Sequence, residues 1–150
     1  MRNIICDFIN LIRITRKMNK EFIPIHGSMS RPANPETGLG ELKANLLEWK
    51  GGEISITYST DEFTSVCPTT GQPDFNQIVI CYVPKKKYVE SKAMKFYLWA
   101  FREYGVHCEY LADMLCNSLF DTIDPSCISV TVNQKARGGL QLSATSERSK

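Results

Sequence analysis

The sequence predicts an α+β domain: an antiparallel four-stranded sheet carrying two helices on one face, in the order ββααββ. Three observations predict it. Apolar and polar residues alternate at period two in residues 53–60 (EISITYST) and 127–133 (CISVTVN), the pattern of half-buried strands. Apolar residues recur at three and four between Cys108 and Ile123, the stripe of an amphipathic helix. Strands and helices also come in blocks instead of alternating singly, which suits helices segregated to one face of an antiparallel sheet.

Taken in order, the chain opens with MRNIICDFINLIRITRK, which mixes Asp7, Asn10 and Arg13 into its apolar run and lacks a small-residue cleavage site. It therefore does not read as a signal peptide. Met18 and Met29 are alternative candidate starts. Residues 27–40 (GSMSRPANPETGLG) read as an irregular linker, and ELKANLLEW after them as a short helical turn. Residues 1–50 are thus an N-terminal extension, partly irregular. The ordered domain spans 51–143, opened by Gly51 and Gly52.

Ile54, Ile56 and Tyr58 line one face of the first strand. Residues 76–83 (NQIVICYV) are apolar on both faces and form a more central strand. Residues 91–104 (SKAMKFYLWAFREY) place Met94, Tyr97, Leu98 and Phe101 at helical spacing, with Ser91 as N-cap and Gly105 as the terminating glycine. The second helix carries Cys108, Leu111, Ala112, Leu115, Cys116, Leu119, Phe120 and Ile123 on its buried face, and Asp124-Pro125 stops it. The third strand is 127–133. A fourth, 140–143, follows the turn KARGG, and 144–150 read as a disordered tail.

A chain of 150 residues fits one domain. A net charge of +2 implies no strong polyanion partner, although Lys85, Lys86 and Lys87 form a local basic run. No window has the ~20 apolar residues of a membrane span. The six cysteines form no CxxC pair and the two histidines have no zinc-ligand spacing to them, so no metal is expected. Several cysteines sit inside apolar patterns, the usage of reduced thiols in a cytoplasmic protein.

Four groups of residues can carry chemistry. Cys67 lies between threonine-rich turns in EFTSVCPTTGQPDF, with Asp74 seven residues on. Thr64, Ser65, Thr69 and Thr70 supply hydroxyl donors that can lower a thiol pKa, and Pro68 and Pro73 stiffen the loop. Asp74 can serve as acid or base to whatever Cys67 attacks. From spacing alone the plainer reading is a structural cysteine in a turn, with Asp74 capping the next strand. In VESKAMK, Lys92 and Lys95 share a helix face near a helix N-terminus, suited to phosphate or to plain solvation. His107 and Glu109 flank Cys108, itself on the apolar stripe and equally a small core residue. Arg137 precedes Gly138-Gly139, suiting either an anion or a hairpin turn.

Together FTSVCPTTGQPDF, ESKAMKFYL, Glu109 and the ARGG turn resemble the QueF family, NADPH-dependent 7-cyano-7-deazaguanine reductases of queuosine biosynthesis, in its short single-module form. The resemblance covers about residues 53–142. It implies the tunnelling fold (T-fold), a homo-oligomer of stacked rings such as a decamer, and active sites between subunits. It implies that Cys67 adds to the nitrile as a thioimide and that Asp74 supplies the proton. It further implies that Glu109 reads the deazaguanine edge, that Val89, Glu90 and Ser91 enclose the base, and that Lys92, Lys95 and Arg137 hold NADPH phosphates.

One departure bears on the chemistry. Where the family has Phe-His-Glu, this chain has His107-Cys108-Glu109. The proton-assisting role is therefore assigned to His107. A second reading is an archaeosine-type, amidine-forming relative that uses the same thioimide on a nitrile base in nucleic acid and lets ammonia attack it. The retained Lys92 and Lys95 favour the reductase. A non-catalytic pterin- or purine-binding module would need neither Cys67 nor Asp74.

Overall fold

The computed structural model describes residues 30–150. The basic residues Arg2, Arg13, Arg16, Lys17 and Lys20, and the candidate starts Met18 and Met29, lie outside the described residues. The elements are α1 (Pro35–Ala44), β1 (Leu46–Glu48), β2 (Ile56–Val66), β3 (Pro73–Val83), β4 (Lys87–Val89), α2 (Ser91–Trp99), α3 (Cys108–Ile123), β5 (Cys127–Arg137) and β6 (Leu140–Ser149). The main sheet has the order β2-β3-β5-β6, all neighbours antiparallel, and β1 pairs with β4 in a separate ribbon. Among the described residues no helix is long and apolar enough to cross a membrane.

The expected ββααββ unit is present, with its helices on one face. All eight residues expected on the buried stripe of α3 are buried. That stripe packs on β5 and β6. Leu111, Leu115 and Leu119 meet Ile78, Ile80, Val130 and Val132 in a core whose members are fully buried. Each such side chain contributes about 1.5–3 kcal/mol through its removal from water.

Several expectations are corrected. The stretch read as an irregular linker contains α1. Its Asn34-Pro35 pair is a helix start, for the Asn34 side chain accepts the Thr37 N–H at 2.8 Å and proline occupies the first turn. Gly38 is a contact point, not a breaker. A Cβ there would stand 3.0 Å from the Ala100 Cβ and 3.3 Å from the Tyr97 Cα, so only glycine lets α1 lie this close to α2. With Leu42 in the core, the domain begins before residue 51.

Strands β2 and β3 run further into the expected loop, to Val66 and from Pro73, leaving only residues 67–72 as the turn. The first strand starts at Ile56, and Ile54 is exposed. Helix α2 ends at Trp99, not Tyr104; Gly105 instead bridges to Val66. Its N-cap is Glu90, whose carboxylate accepts the Ala93 N–H at 3.0 Å, and Ser91 is the first helical residue.

The expected tail is a strand. β6 pairs with β5 along its whole length, as far as Ser149 opposite Cys127. Its polar composition concealed it. Ser146 donates to Asp113 at 3.2 Å, Arg148 donates to Asn117 at 2.5 Å, and the Arg148 guanidinium lies 5.3 Å from the Phe120 ring centroid. The strand meets the polar flank of α3, so its side chains need not be apolar.

Candidate active site

Cys67 reaches the covered face of the sheet through a β-bulge. Upstream, Ile56, Tyr58 and Thr60 are the partly covered residues of β2. Thr60 pairs with Ile78, yet Phe63 pairs with Asn76, so β2 spends three steps where β3 spends two. The extra residue moves the inward set to Phe63, Ser65 and Cys67, all buried. A regular strand would have turned Cys67 to the opposite face.

The turn after Cys67 is tight. The Cys67 N–H donates to Gln72 O and the Gly71 N–H to Cys67 O, both at 2.8 Å, with Gly71 at φ +69°. The chain therefore folds back over the sulfur. Cys67 is 6% exposed, covered by this turn although it lies at the periphery of the fold. Its thiol pKa is lowered to about 7, chiefly by the Thr70 hydroxyl, then by the backbone N–H groups of Thr70 and Thr69, with Arg137 adding to them. Stabilising donors outweigh the small opposing effect of burial.

Asp74 stands opposite Ser65 in the β2–β3 ladder, and Asn76 opposite Phe63. Inward alternation along β3 thus runs Asp74, Asn76, Ile78, Ile80, polar at the Cys67 end and apolar further in. Asp74, Ser65 and Asn76 are all buried. Asn76 Nδ2 donates weakly to Ser65 Oγ at 3.4 Å, while Asn76 Oδ1 is buried without a hydrogen bond. Arg137 Nη1 approaches Asp74 Oδ1 to 2.7 Å as an ion pair that lacks the alignment of a hydrogen bond. The resemblance gave Arg137 a phosphate; here it sits on the carboxylate.

The connection from α2 to α3 is tied beside Cys67. The Val66 N–H donates to Tyr104 O at 3.0 Å and the Val106 N–H to Val66 O at 3.1 Å. This sets the start of α3 next to the turn. There Cys108 is buried, its sulfur 3.7 Å from Val132 O, and its pKa is raised by burial first and then by the charges of Glu109 and Asp74. His107 is the N-cap residue, exposed and making no capping bond, and Glu109 is exposed. The Asp74 charge thus bears on the Cys108 thiol as well as on Arg137. Burial disfavours the Cys108 thiolate.

The remaining expected residues form a second locus. Val89 is held by two tyrosines: Tyr58 OH donates to Val89 O at 2.7 Å, and the Val89 N–H donates to Tyr82 OH at 3.0 Å. This fixes the segment entering α2, where Ser91 Oγ donates to Glu90 at 3.1 Å. Between β2 and α2 lies a cavity of about 540 Å³, its lining including Ser91, Lys95, Arg102, Trp99, Phe63 and Tyr58. Lys92 is exposed on the same helix, outside that lining. Within one chain, Cys67, Asp74 and Arg137 come together. Ser91 and Lys95 gather at the cavity, and His107 and Glu109 stand at the start of α3.

Sequence reasoning missed Asn76, Tyr58, Tyr82 and Arg102 as parts of these two loci. Asn76 carried a signal, a polar residue in an inward series that is otherwise apolar beyond Asp74. The tyrosines carried none, because each also fits an ordinary core position.

A family model described as QueF-like protein matches residues 73–150. The chain belongs to the QueF-like family. It is 38% identical over 95 residues to the NADPH-dependent 7-cyano-7-deazaguanine reductase of Syntrophus aciditrophicus, covering 63% of this chain and 68% of that protein. It is 44% identical over 87 residues to the protein of that name in Bacillus cytotoxicus, covering 58% of this chain and 53% of the relative. For Staphylococcus haemolyticus the identity is 42% over 93 residues, covering 62% and 56%. The chain thus spans little more than half the length of the last two. Among solved structures it is similar to an archaeosine synthase QueF-Like in the apo form, with a TM-score of 0.59, 19% identity, and coverage of 68% of this chain and 98% of that one. At that identity the likeness is one of fold. It agrees with the T-fold that the resemblance implied and with the ββααββ order expected from the sequence.

Proposed function

We propose that this QueF-like chain reduces 7-cyano-7-deazaguanine to 7-aminomethyl-7-deazaguanine with NADPH, as a cytoplasmic step of queuosine tRNA modification. The observation that carries the reading is a thiol with its pKa lowered to about 7 that shares Arg137 with a buried carboxylate, at the end of two paired strands. About half of such a thiol is thiolate at neutral pH, and the thiolate is the nucleophile.

The Cys67 thiolate adds to the electrophilic nitrile carbon, forming a C–S bond as one π pair moves to nitrogen. We assign to the Asp74 carboxylate the uptake of the proton that the Cys67 thiol loses and its transfer to that nitrogen, which gives a thioimide. Two molecules of NADPH, bound in turn, would supply one hydride each, with protons from the site or solvent balancing the charge. After the first, the C–S bond breaks, Cys67 leaves as thiolate, and the imine remains to be reduced to the amine. The turn that folds over Cys67 limits water access to the thioimide. Fixing thiol, acid and nitrile together contributes up to roughly 7–11 kcal/mol in well-oriented systems.

The cavity beside α2 suits a phosphorylated, ring-bearing cofactor. Lys95 and Arg102 supply positive charge, Trp99 and Phe63 offer ring faces, and Lys92 lies on the same helix. Glu109 is assigned to the base edge, its carboxylate accepting from the 2-amino and ring N–H groups, and Val89, Glu90 and Ser91 enclose the ring. His107 is assigned to assist the later proton transfer. These residues stand apart within one chain. We therefore assign a homo-oligomer of stacked rings, a decamer being the simplest, in which neighbouring copies complete each site. The open edges of β2 and β6 can pair between copies. Exposed Phe75, Tyr110 and Leu140 are apolar surface available for such contacts.

The test is NADPH oxidation by the purified protein, dependent on the nitrile, with intact-mass spectrometry alongside. Nitrile-dependent oxidation plus a Cys67 adduct is the expected result. An adduct without oxidation turns the reading to an amidine-forming enzyme that uses ammonia on nucleic acid. The absence of both adduct and oxidation refutes it.

A further inference from the structure

We propose that Arg137 is a positioning residue of the reaction site, holding the Asp74 carboxylate beside Cys67 from the β5–β6 hairpin, and not a ligand of the cofactor phosphates. The inference rests on the function proposed above and reassigns one of its residues.

Two independent observations carry it. The first is the ion pair itself, Nη1 to Oδ1 at 2.7 Å, with the carboxylate 3% exposed and the guanidinium 45% exposed. A buried carboxylate without a compensating charge is strongly disfavoured. Arg137 is the basic residue found on Asp74 among the described residues. The pair holds the carboxylate by charge while leaving Oδ1 without an aligned hydrogen bond.

The second is the strand geometry. Gln134 pairs with Leu142 and Arg137 with Leu140, so β5 spends three steps where β6 spends two. Simple alternation from Ile128, Val130, Val132 and Gln134 would put residue 136 on the covered face and Arg137 on the other. The bulge exchanges them and turns Arg137 toward Asp74. Gly138 and Gly139, at φ +58° and +82°, then reverse the chain at once. The device repeats the one that turns Cys67 inward on β2. Two bulges, on strands either side of β3, thus aim a nucleophile and a cation at the same carboxylate.

Arg137 also acts on the sulfur, as the last and smallest of the groups that stabilise its thiolate. The other charged and titratable groups at this end of the sheet are Asp74 on β3 and Cys108 with Glu109 at the start of α3, the two carboxylates both bearing on Cys108.

The experiment compares wild type, Arg137→Gln and Arg137→Lys in the full chain. Three quantities are measured: the pH dependence of Cys67 alkylation by iodoacetamide, the rate of Cys67 adduct formation with 7-cyano-7-deazaguanine without NADPH, and the KM for NADPH. Arg137→Gln is expected to slow alkylation at pH 7 by about two- to threefold, because a half-exposed cation acts through much solvent. The curves should converge above about pH 9, where an ordinary thiol is also ionised. Adduct formation should fall by about tenfold, the usual scale for losing one positioned group, Arg137→Lys should recover most of both, and the KM for NADPH should stay within about twofold. Unchanged alkylation and adduct formation, with a tenfold higher KM for NADPH, overturns the proposal. A wild type that alkylates normally but forms no nitrile adduct sinks the proposed function instead, and the alkylation curves alone then decide the role of Arg137.

Discussion

Removing the Thr70 hydroxyl should deactivate Cys67 by a calculable amount. Thr70 is the largest cause of the lowered thiol pKa, about 7 against an ordinary 9.0. Its hydroxyl oxygen also receives the Gln72 N–H at 3.4 Å, which orients it within the turn. At pH 6 a thiol of pKa 7 is about one-tenth ionised and one of pKa 9 about one-thousandth, a hundredfold difference in thiolate. Nucleophilicity falls with basicity at a Brønsted slope of ~0.4–0.5, which takes back about six- to tenfold over two units. Wild-type Cys67 should therefore alkylate at pH 6 about tenfold faster than an ordinary thiol. Thr70→Val should lose most of that advantage and move the midpoint up, whereas Thr70→Ser should keep it. The assay is iodoacetamide alkylation between pH 5.5 and 9.5, followed by peptide mass spectrometry so that Cys67 is scored apart from Cys81 and Cys127. The sign is fixed: reactivity rises with pH through the folded value. A wild-type midpoint at or above about 8.5, or a Thr70→Val curve that overlays wild type, refutes the argument that the turn activates the thiol.

Further predictions concern chemistry and packing. Cys67→Ala should abolish both the nitrile adduct and NADPH oxidation, as intact mass and absorbance at the cofactor band would register; full activity in this variant would defeat the thioimide mechanism. Glu109→Ala should raise the KM for the nitrile by ten- to a hundredfold, about 1.4–2.7 kcal/mol of lost binding, while Cys67 alkylation stays unchanged. Gly38→Ala should destabilise the fold by about 1–2 kcal/mol in urea denaturation, since the forced separation of α1 from α2 costs more than the ~1 kcal/mol of helix propensity gained. Leu115→Ala, at a fully buried α3 position, should cost about 2–5 kcal/mol by the same measurement. A smaller loss would mean that the core around α3 collapses into the vacated space.

The order of the ββααββ unit and most of its core were legible in the amino-acid pattern alone. Period-two and helical spacings report burial directly, so the α3 stripe from Cys108 to Ile123 and the central strand β3 were legible in it. The motif around Cys67 and Asp74 also identified the family, because those residue types at that spacing serve a specific chemistry. Elements whose partners are polar or distant were not legible. β6 looked like a tail because its side chains meet the polar flank of α3 and its order comes from backbone pairing with β5. α1 looked like a linker because its capping asparagine, proline and contact glycine are also the residues of loops. Only the tertiary structure decided which side chains converge. Bulges on β2 and β5 reverse the inward set, and a bulge depends on the register between two strands, which no single strand encodes. Those two reversals bring Cys67 and Arg137 to Asp74, and the turn at Thr70 then lowers the pKa of the sulfur.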